Sequence, residues 1–240
     1  MNNDYTLEEF VTSQSYISRR DLLAYLKSGL VSVNGQCVSN LKIKVNAKND
    51  TIVVNGDLVQ YQFSYVYYKF FKPKGVLSTM EDPKGRRCIG DFIRQLGMPI
   101  FPVGRLDKDT TGLMILTNDG DFSHKLMHPS FKCNKVYHVT LNKRVSKSTI
   151  ERLNRGFFLE DGPVKFTRLS VLSEREFMLS ISEGRNRLIR RTFEHFGYFV
   201  DQLKRLQIGN LDLKGMDVGD FSPLTKQEIR LLLSSLNIIR

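Results

Sequence analysis

Apolar positions change their period along the chain. From Leu7 to Leu26 they recur at helical spacing behind capping residues: Thr6-Leu-Glu-Glu9 reads as a capping box opening a short helix. Ser18-Arg-Arg-Asp21 caps a second, whose Leu22, Leu23 and Leu26 are expected on one face before Gly29 ends it. The period then shortens to that of a strand. Val31-Ser-Val-Asn-Gly35 alternates into an Asn-Gly turn, and Thr51-Ile-Val-Val-Asn-Gly56 repeats the device. A small α/β module over residues 1–62 is expected.

Beyond it the strand period dominates. Strands are predicted over Tyr65–Phe71, Leu113–Thr117, Val136–Leu141, Lys165–Val171 and Phe177–Ile181. Helices are predicted from a capping box at Ser148-Thr-Ile-Glu151 to Gly156, from Arg187 to Phe196 before Gly197, and from a capping box at Thr225-Lys-Gln-Glu228. Strands in runs with intervening helices, without βαβ alternation, predict an α+β domain over residues 63–240, with a mostly antiparallel sheet flanked by helices. The linker falls near Gln60 to Ser64. Phe70-Phe71 read as core strand and Phe157-Phe158 as helix-end residues rather than as stacking platforms.

Composition changes the picture in one respect. With 240 residues, 41% hydrophobic, 25% charged and a mean hydropathy of -0.27, the chain has the make-up of a folded protein. Its charge is uneven: 36 Lys plus Arg oppose 25 Asp plus Glu, a net +11. Residues 1–62 hold six basic and six acidic side chains, so the excess belongs to residues 63–240. A polyanion is the partner such a surface favours. Cys37, Cys88 and Cys133 are too few and too scattered for a disulfide framework, which points to a reducing compartment. The polar, acidic start and the lack of a long apolar run are not those of a secreted or membrane protein. A cytoplasmic monomer is expected.

The most informative stretch is Gly104-Arg-Leu-Asp-Lys-Asp-Thr-Thr-Gly-Leu-Met-Ile-Leu-Thr-Asn-Asp-Gly120, which sets Asp107 on a loop beside a strand. As a calcium loop, Asp107, Asp109, Thr111 and Gly112 match the early positions, but Asn118 stands where a bidentate Glu is needed. As a magnesium-dependent phosphotransferase, Asp107-Lys-Asp109-Thr-Thr111 follows Pro102 and Gly104, where an uninterrupted apolar strand is wanted. A surface turn capped by Asp109 or Asp119 explains part of the run only.

The same stretch resembles the signature of the RsuA-type pseudouridine synthases, the family of ribosomal RNA enzymes that includes RluB, RluE and RluF. Lys72-Pro-Lys-Gly75, Lys135-Val-Tyr137, Glu183-Gly-Arg-Asn-Arg-Leu-Ile-Arg-Arg191 and Leu203-Lys-Arg-Leu-Gln-Ile-Gly209 follow the family's order. Ile17-Ser-Arg-Arg-Asp21 and Val31-Ser-Val-Asn-Gly35 resemble an S4 RNA-binding domain. The resemblance covers almost the whole chain.

It implies that Asp107 is the catalytic aspartate, acting as nucleophile at the sugar or as base at its 2′ position. It implies that Arg190 pairs with Asp107, that Tyr137 lies under the target base, and that Arg105 fills the space left by a flipped nucleotide. Arg19, Arg20, Lys27, Lys72, Lys74, Lys135, Arg185 and Arg187 are the further candidates for RNA contact, with Lys72, Lys74 and Lys135 serving as backbone contacts or supports. Two departures stand out: Leu188 replaces a usual Gln, and Ser222 a common Arg.

No metal or organic cofactor is implied, because isomerising uridine needs neither redox change nor group donor. His124, His128, Cys133 and His138 match no zinc spacing, and no phosphate loop or dinucleotide fingerprint occurs. The resemblance favours large-subunit over small-subunit ribosomal RNA, partly through Glu160-Asp-Gly-Pro163. A transfer RNA synthase of the same family, or a catalytically silent S4-type factor for ribosome assembly, are the alternatives.

Overall fold

The computed structural model describes residues 4–62 and 64–236. The expected boundary between residues 62 and 63 touches Phe63, which lies outside the described residues, as do the first three residues and the last four.

The N-terminal unit runs β1 (Asp4–Thr6), α1 (Leu7–Gln14), α2 (Arg19–Lys27), β2 (Val31–Val33), β3 (Gln36–Cys37), β4 (Lys44–Asn46), β5 (Ile52–Val54) and β6 (Asp57–Val59). Thr6 and Glu9 form the reciprocal capping box, and Ser18 accepts from the Asp21 amide. Asn34-Gly35 and Asn55-Gly56 all have positive φ, the geometry that closes a two-residue hairpin, so β3-β2-β5-β6 form one antiparallel sheet. Leu7, Phe10, Leu22, Val31 and Ile52 fill its core. Leu23, expected beside Leu22, is exposed: the buried stripe of α2 carries Leu22 and Leu26, four apart, and Leu23 is turned away from it.

The larger unit runs β7 (Tyr67–Lys72), α3 (Ile89–Ile93), β8 (Phe101–Val103), β9 (Thr111–Thr117), α4 (Gly120–Met127), β10 (Lys135–Leu141), α5 (Lys147–Arg155), β11 (Phe157–Leu159), β12 (Gly162–Val164), β13 (Arg168–Val171), β14 (Glu176–Ile181), α6 (Leu188–His195), β15 (Val200–Ile208), β16 (Leu211–Asp212), β17 (Phe221–Pro223) and α7 (Lys226–Ser235). Its nine-stranded sheet has the order β13-β14-β10-β15-β9-β7-β17, with β16 on β15 and β8 on β9. Among the described strands of this sheet only the β9–β15 pair is parallel, so the sheet is mixed and mostly antiparallel.

Both faces of this sheet are covered. Along β9, Met114 and Leu116 join one core with Phe70, Val139, Phe177 and Phe193, while Leu113 and Ile115 join another with Phe122, Ile208 and Leu232. All four side chains are fully buried, and burial of each stabilises the fold by about 1.5–3 kcal/mol. The parallel pairing needs Gly112: a Cβ there would lie 2.2 Å from the Arg205 carbonyl oxygen.

Several expectations shift. α5 is capped by Ser146 rather than Ser148, because the Ser146 amide is fixed by the Tyr198 hydroxyl and its side chain then receives the Thr149 amide. Phe157 and Phe158 are not at a helix end: they form β11, with Phe157 against His195 and Phe196 and Phe158 75% exposed. Asn118-Asp119-Gly120 opens α4, capped by Asp119. Asn118, buried behind that cap, donates to the carbonyls of Ser13 and Ser64 and accepts from the Val66 amide, joining the two units. Among the described residues no helix is long and apolar enough to cross a membrane.

Candidate active site

The two parallel strands begin on one side of the sheet, and the segments that feed them meet there. Residues 105–110 lead into β9, and α6 leads into β15. Arg190, on the buried face of α6 with Ile189 and Phe193, ties the starts of the two strands together: Nη1 donates to the Val200 carbonyl at 2.9 Å and Nη2 to the Asp109 carbonyl at 3.1 Å. Its Nε lies 4.0 Å from Asp107 Oδ2 and has no hydrogen bond. Burial, then the nearby Arg187, pull the Arg190 pKa down from the usual arginine value, and Asp107 and Asp109 oppose that pull.

The loop carrying Asp107 is held by its backbone. Ser78 Oγ donates to the Leu106 carbonyl at 2.7 Å and accepts from the Leu106 amide at 3.1 Å. Lys72 Nζ reaches the carbonyls of Asp107 at 3.2 Å, Lys108 at 3.3 Å and Thr110 at 2.9 Å, as well as that of Pro73. The Gly75 amide adds a bond to the Lys108 carbonyl and the Thr110 amide one to that of Asp107. Every carbonyl from Leu106 to Thr110 is therefore bound, while the Asp107 carboxylate keeps its oxygens for what comes into the cleft.

That cleft has a volume of about 460 Å³, within the ~300–1,000 Å³ range of small-ligand sites. Arg105, Asp107, Lys108, Asp109 and Arg187 form one wall; Ser78, Thr79, Glu81, Asp82 and Arg86 contribute the other. Arg105 and Arg187 are exposed there, and Arg187, at φ 48, caps α6 in the left-handed region.

The other candidates separate. Tyr137 is 9% exposed in the central core, outside the cleft wall, and directly at a register shift between Val136 and Tyr137 in the β10–β15 pairing. Lys72 has no exposed surface and serves as a support: its ammonium is spent on the loop carbonyls, and burial holds its pKa down at about 8. Lys135 is half-buried on the Cys133 carbonyl, with burial lowering its pKa, which makes it a support as well. Arg185 is bound by Glu183, Asp161 and the Pro163 carbonyl, so it staples the β11–β12 hairpin instead of offering a free cation; Arg191 joins it on Asp161. Lys74 is exposed. In the N-terminal unit Arg19, Arg20 and Lys27 are exposed on α2, with Arg19 paired to Glu8.

Ser78 and the cleft-facing Arg86 are not legible in the sequence as site residues: each reaches the Asp107 loop only through the return of residues 77–88, and no local pattern marks them. Leu188, in place of the usual Gln, packs into the core at the start of α6, and Ser222 pairs with Lys69 on the sheet edge. Among the described residues no three His, Cys, Asp or Glu side chains converge as a metal set.

The fold is an α+β domain whose mixed sheet sets its two parallel strands beside an open cleft lined by Asp107 together with Arg86, Arg105, Lys108 and Arg187. The chain belongs to the RNA pseudouridylate synthase family, in its RsuA-type branch: the family's sequence profile matches residues 66–195, a span that contains Asp107, Tyr137 and Arg190. It is 40% identical over 232 residues to the ribosomal large subunit pseudouridine synthase B of Bacillus subtilis, covering 94% of each chain. An RNA pseudouridine synthase of Mycobacterium leprae is 35% identical, over 97% of this chain and 93% of its own. A crystal structure of a pseudouridylate synthase superposes with a TM-score of 0.67 at 30% identity, covering 94% of this chain and 98% of the other.

Proposed function

We propose that this enzyme converts a uridine of large-subunit ribosomal RNA to pseudouridine, with Asp107 as the catalytic carboxylate. The observation that carries the reading is the loop geometry: a carboxylate presented to an open cleft by a backbone whose own acceptors are all satisfied. The reaction breaks the bond between ribose C1′ and uracil N1, turns the base and forms the C1′–C5 bond; C5 releases its proton and N1 takes one up. Atoms and oxidation state balance within the nucleotide. Asp107 serves the first step as a nucleophile at C1′ or as a base at the 2′ carbon. Arg190 sets its positive charge 4.0 Å from that carboxylate.

Tyr137 is the candidate for the C5 side of the base. The β10–β15 register shifts beside Tyr137, where Leu206 is the extra residue on β15, and the Tyr137 hydroxyl makes no hydrogen bond among the described residues. Arg105, exposed beside Asp107, is placed to occupy the gap that a flipped nucleotide leaves. Residues 1–62 act as an S4-type RNA-binding domain and residues 63–240 as the catalytic domain of a cytoplasmic monomer. The exposed Arg20 and Lys27 on α2 support that role. The large subunit is favoured because the Bacillus relative carries that substrate in its name.

The test is pseudouridine mapping by carbodiimide and primer extension on ribosomal RNA from a deletion strain complemented with wild type or Asp107→Asn. One site lost and restored only by wild type establishes the reading. An unchanged ribosomal map removes it and turns the search to transfer RNA.

A further inference from the structure

The wall of the cleft opposite Asp107 is a rigid built element. Residues 77–88 leave and return at one point, where the Leu77 amide bonds the Arg87 carbonyl at 3.0 Å and the Ile89 amide bonds the Leu77 carbonyl at 2.9 Å. The excursion is seated on α3 so closely that a Cβ on Gly90 would fall 1.8 Å from the Met80 carbonyl oxygen. Near its start, Ser78 is the residue that grips both backbone groups of Leu106. The wall and the Asp107 loop are thus one assembly.

Two adjacent arginines in this wall have different employment. Arg87 lies 4.6 Å over the Phe92 ring and belongs to the protein. Arg86 lines the cleft that Asp107 lines. One edge of its guanidinium is held by Asp82, through Nε at 3.0 Å and Nη2 at 2.8 Å, and Asp82 also receives the Arg86 amide at 3.0 Å. The Arg86 side chain is half exposed, and Nη1 makes no hydrogen bond among the described residues.

The electrostatics decide what Nη1 suits. A guanidinium gripped on one edge by a carboxylate has a fixed direction and unused donors, while its net charge is cancelled locally. It therefore attracts a phosphate weakly and a neutral carbonyl well. Lys108 on the facing wall has no such carboxylate partner among the described residues and suits the RNA backbone.

We propose that Arg86, aimed by Asp82, donates to a nucleobase carbonyl of the RNA bound beside Asp107 and so helps to select the base presented there. This rests on the reading of the cleft as a uridine site. A phosphate contact contributes to the salt dependence of binding, and a base contact does not.

The experiment measures kcat/KM on unmodified, transcribed large-subunit ribosomal RNA at several salt concentrations for wild type, Arg86→Met, Arg86→Gln and Arg86→Lys, with melting temperatures for all four. Arg86→Met is expected to lose about ten- to hundredfold in kcat/KM, with a salt dependence parallel to wild type. Arg86→Gln, which keeps a neutral N–H donor, is expected to recover more of the rate than Arg86→Lys. The opposite order, with a salt slope about one unit shallower in Arg86→Met, assigns Arg86 to a phosphate and overturns the inference. So does a rate equal to wild type in all three variants. Failure of the underlying reading looks different: wild type and Asp107→Asn are then equally inactive on this RNA.

Discussion

Arg190 faces Asp107 across 4.0 Å without a hydrogen bond, because its two terminal nitrogens are already committed to the carbonyls of Val200 and Asp109. Its charge is fixed in place by backbone, and the carboxylate is left open on its substrate side. Asp107→Asn is expected to lower kcat by at least about 10³-fold while RNA affinity and melting temperature stay near wild type. Single-turnover assays with filter binding check both. Arg190→Met also unties the segments that lead into the two parallel strands, so it loses activity and melting temperature together, and Arg190→Lys, lacking the fork, restores neither.

Lys72 makes the loop sensitive to pH. Its ammonium titrates at about 8 in the folded protein against 10.5 when unperturbed. Between those values the folded state binds fewer protons than the unfolded state, so this group's contribution raises stability as pH rises through the window. Deprotonation also removes one donor from a cluster of four carbonyls. Above pH 8 kcat is expected to fall while the melting temperature does not, measured in a matched series of buffers. Lys72→Met takes this donor from all four carbonyls, of which those of Asp107 and Lys108 keep the Thr110 and Gly75 amides, lowers stability by about 1–3 kcal/mol in denaturant unfolding, and abolishes the decline in kcat between pH 8 and 10.

Gly112 carries the parallel pair. At φ 119, with the Arg205 carbonyl oxygen 2.2 Å and its nitrogen 2.5 Å from where a Cβ would stand, Gly112→Ala has strain and collision together. The expected cost is about 3 kcal/mol, read from urea unfolding, and the activity lost should return in part with a stabilising osmolyte.

In the N-terminal unit Arg20 and Lys27 are exposed on α2, whereas Arg19 is paired with Glu8. The double variant Arg20→Gln with Lys27→Gln is expected to reduce the salt slope of RNA binding by about one to two units, and Arg19→Gln to change it less. Equal slopes in all the proteins would show that α2 does not meet the RNA backbone.

Local chemistry makes much of this legible. The Thr6 and Thr225 boxes and both Asn-Gly turns stand where their side chains and positive φ angles require. The strands rich in β-branched and aromatic residues stand in the sheet. What stays hidden depends on distant partners. β15 carries Asp201, Lys204 and Arg205, which mask a strand, yet Arg205 is buried with Nε on the Leu113 carbonyl. Lys72 reads as a surface cation until the Asp107 loop folds over it. The seventeen positions from Gly104 to Gly120 announce a site; that Ser78 and Arg86 complete its walls follows only from where residues 77–88 return.

Asn118 lies near the end of that same stretch, and its amide fastens Ser13, Ser64 and Val66 at once. The run that delivers the carboxylate at one end thus anchors the N-terminal unit at the other, with the stiff strand β9 between them. That bond to Ser13 is one of the places where the two units meet. Were α2 to meet the RNA as proposed, an RNA touching both α2 and Asp107 would have to bring its two contacted parts to the separation between them in its own fold, and the choice of uridine would be partly a measurement of length.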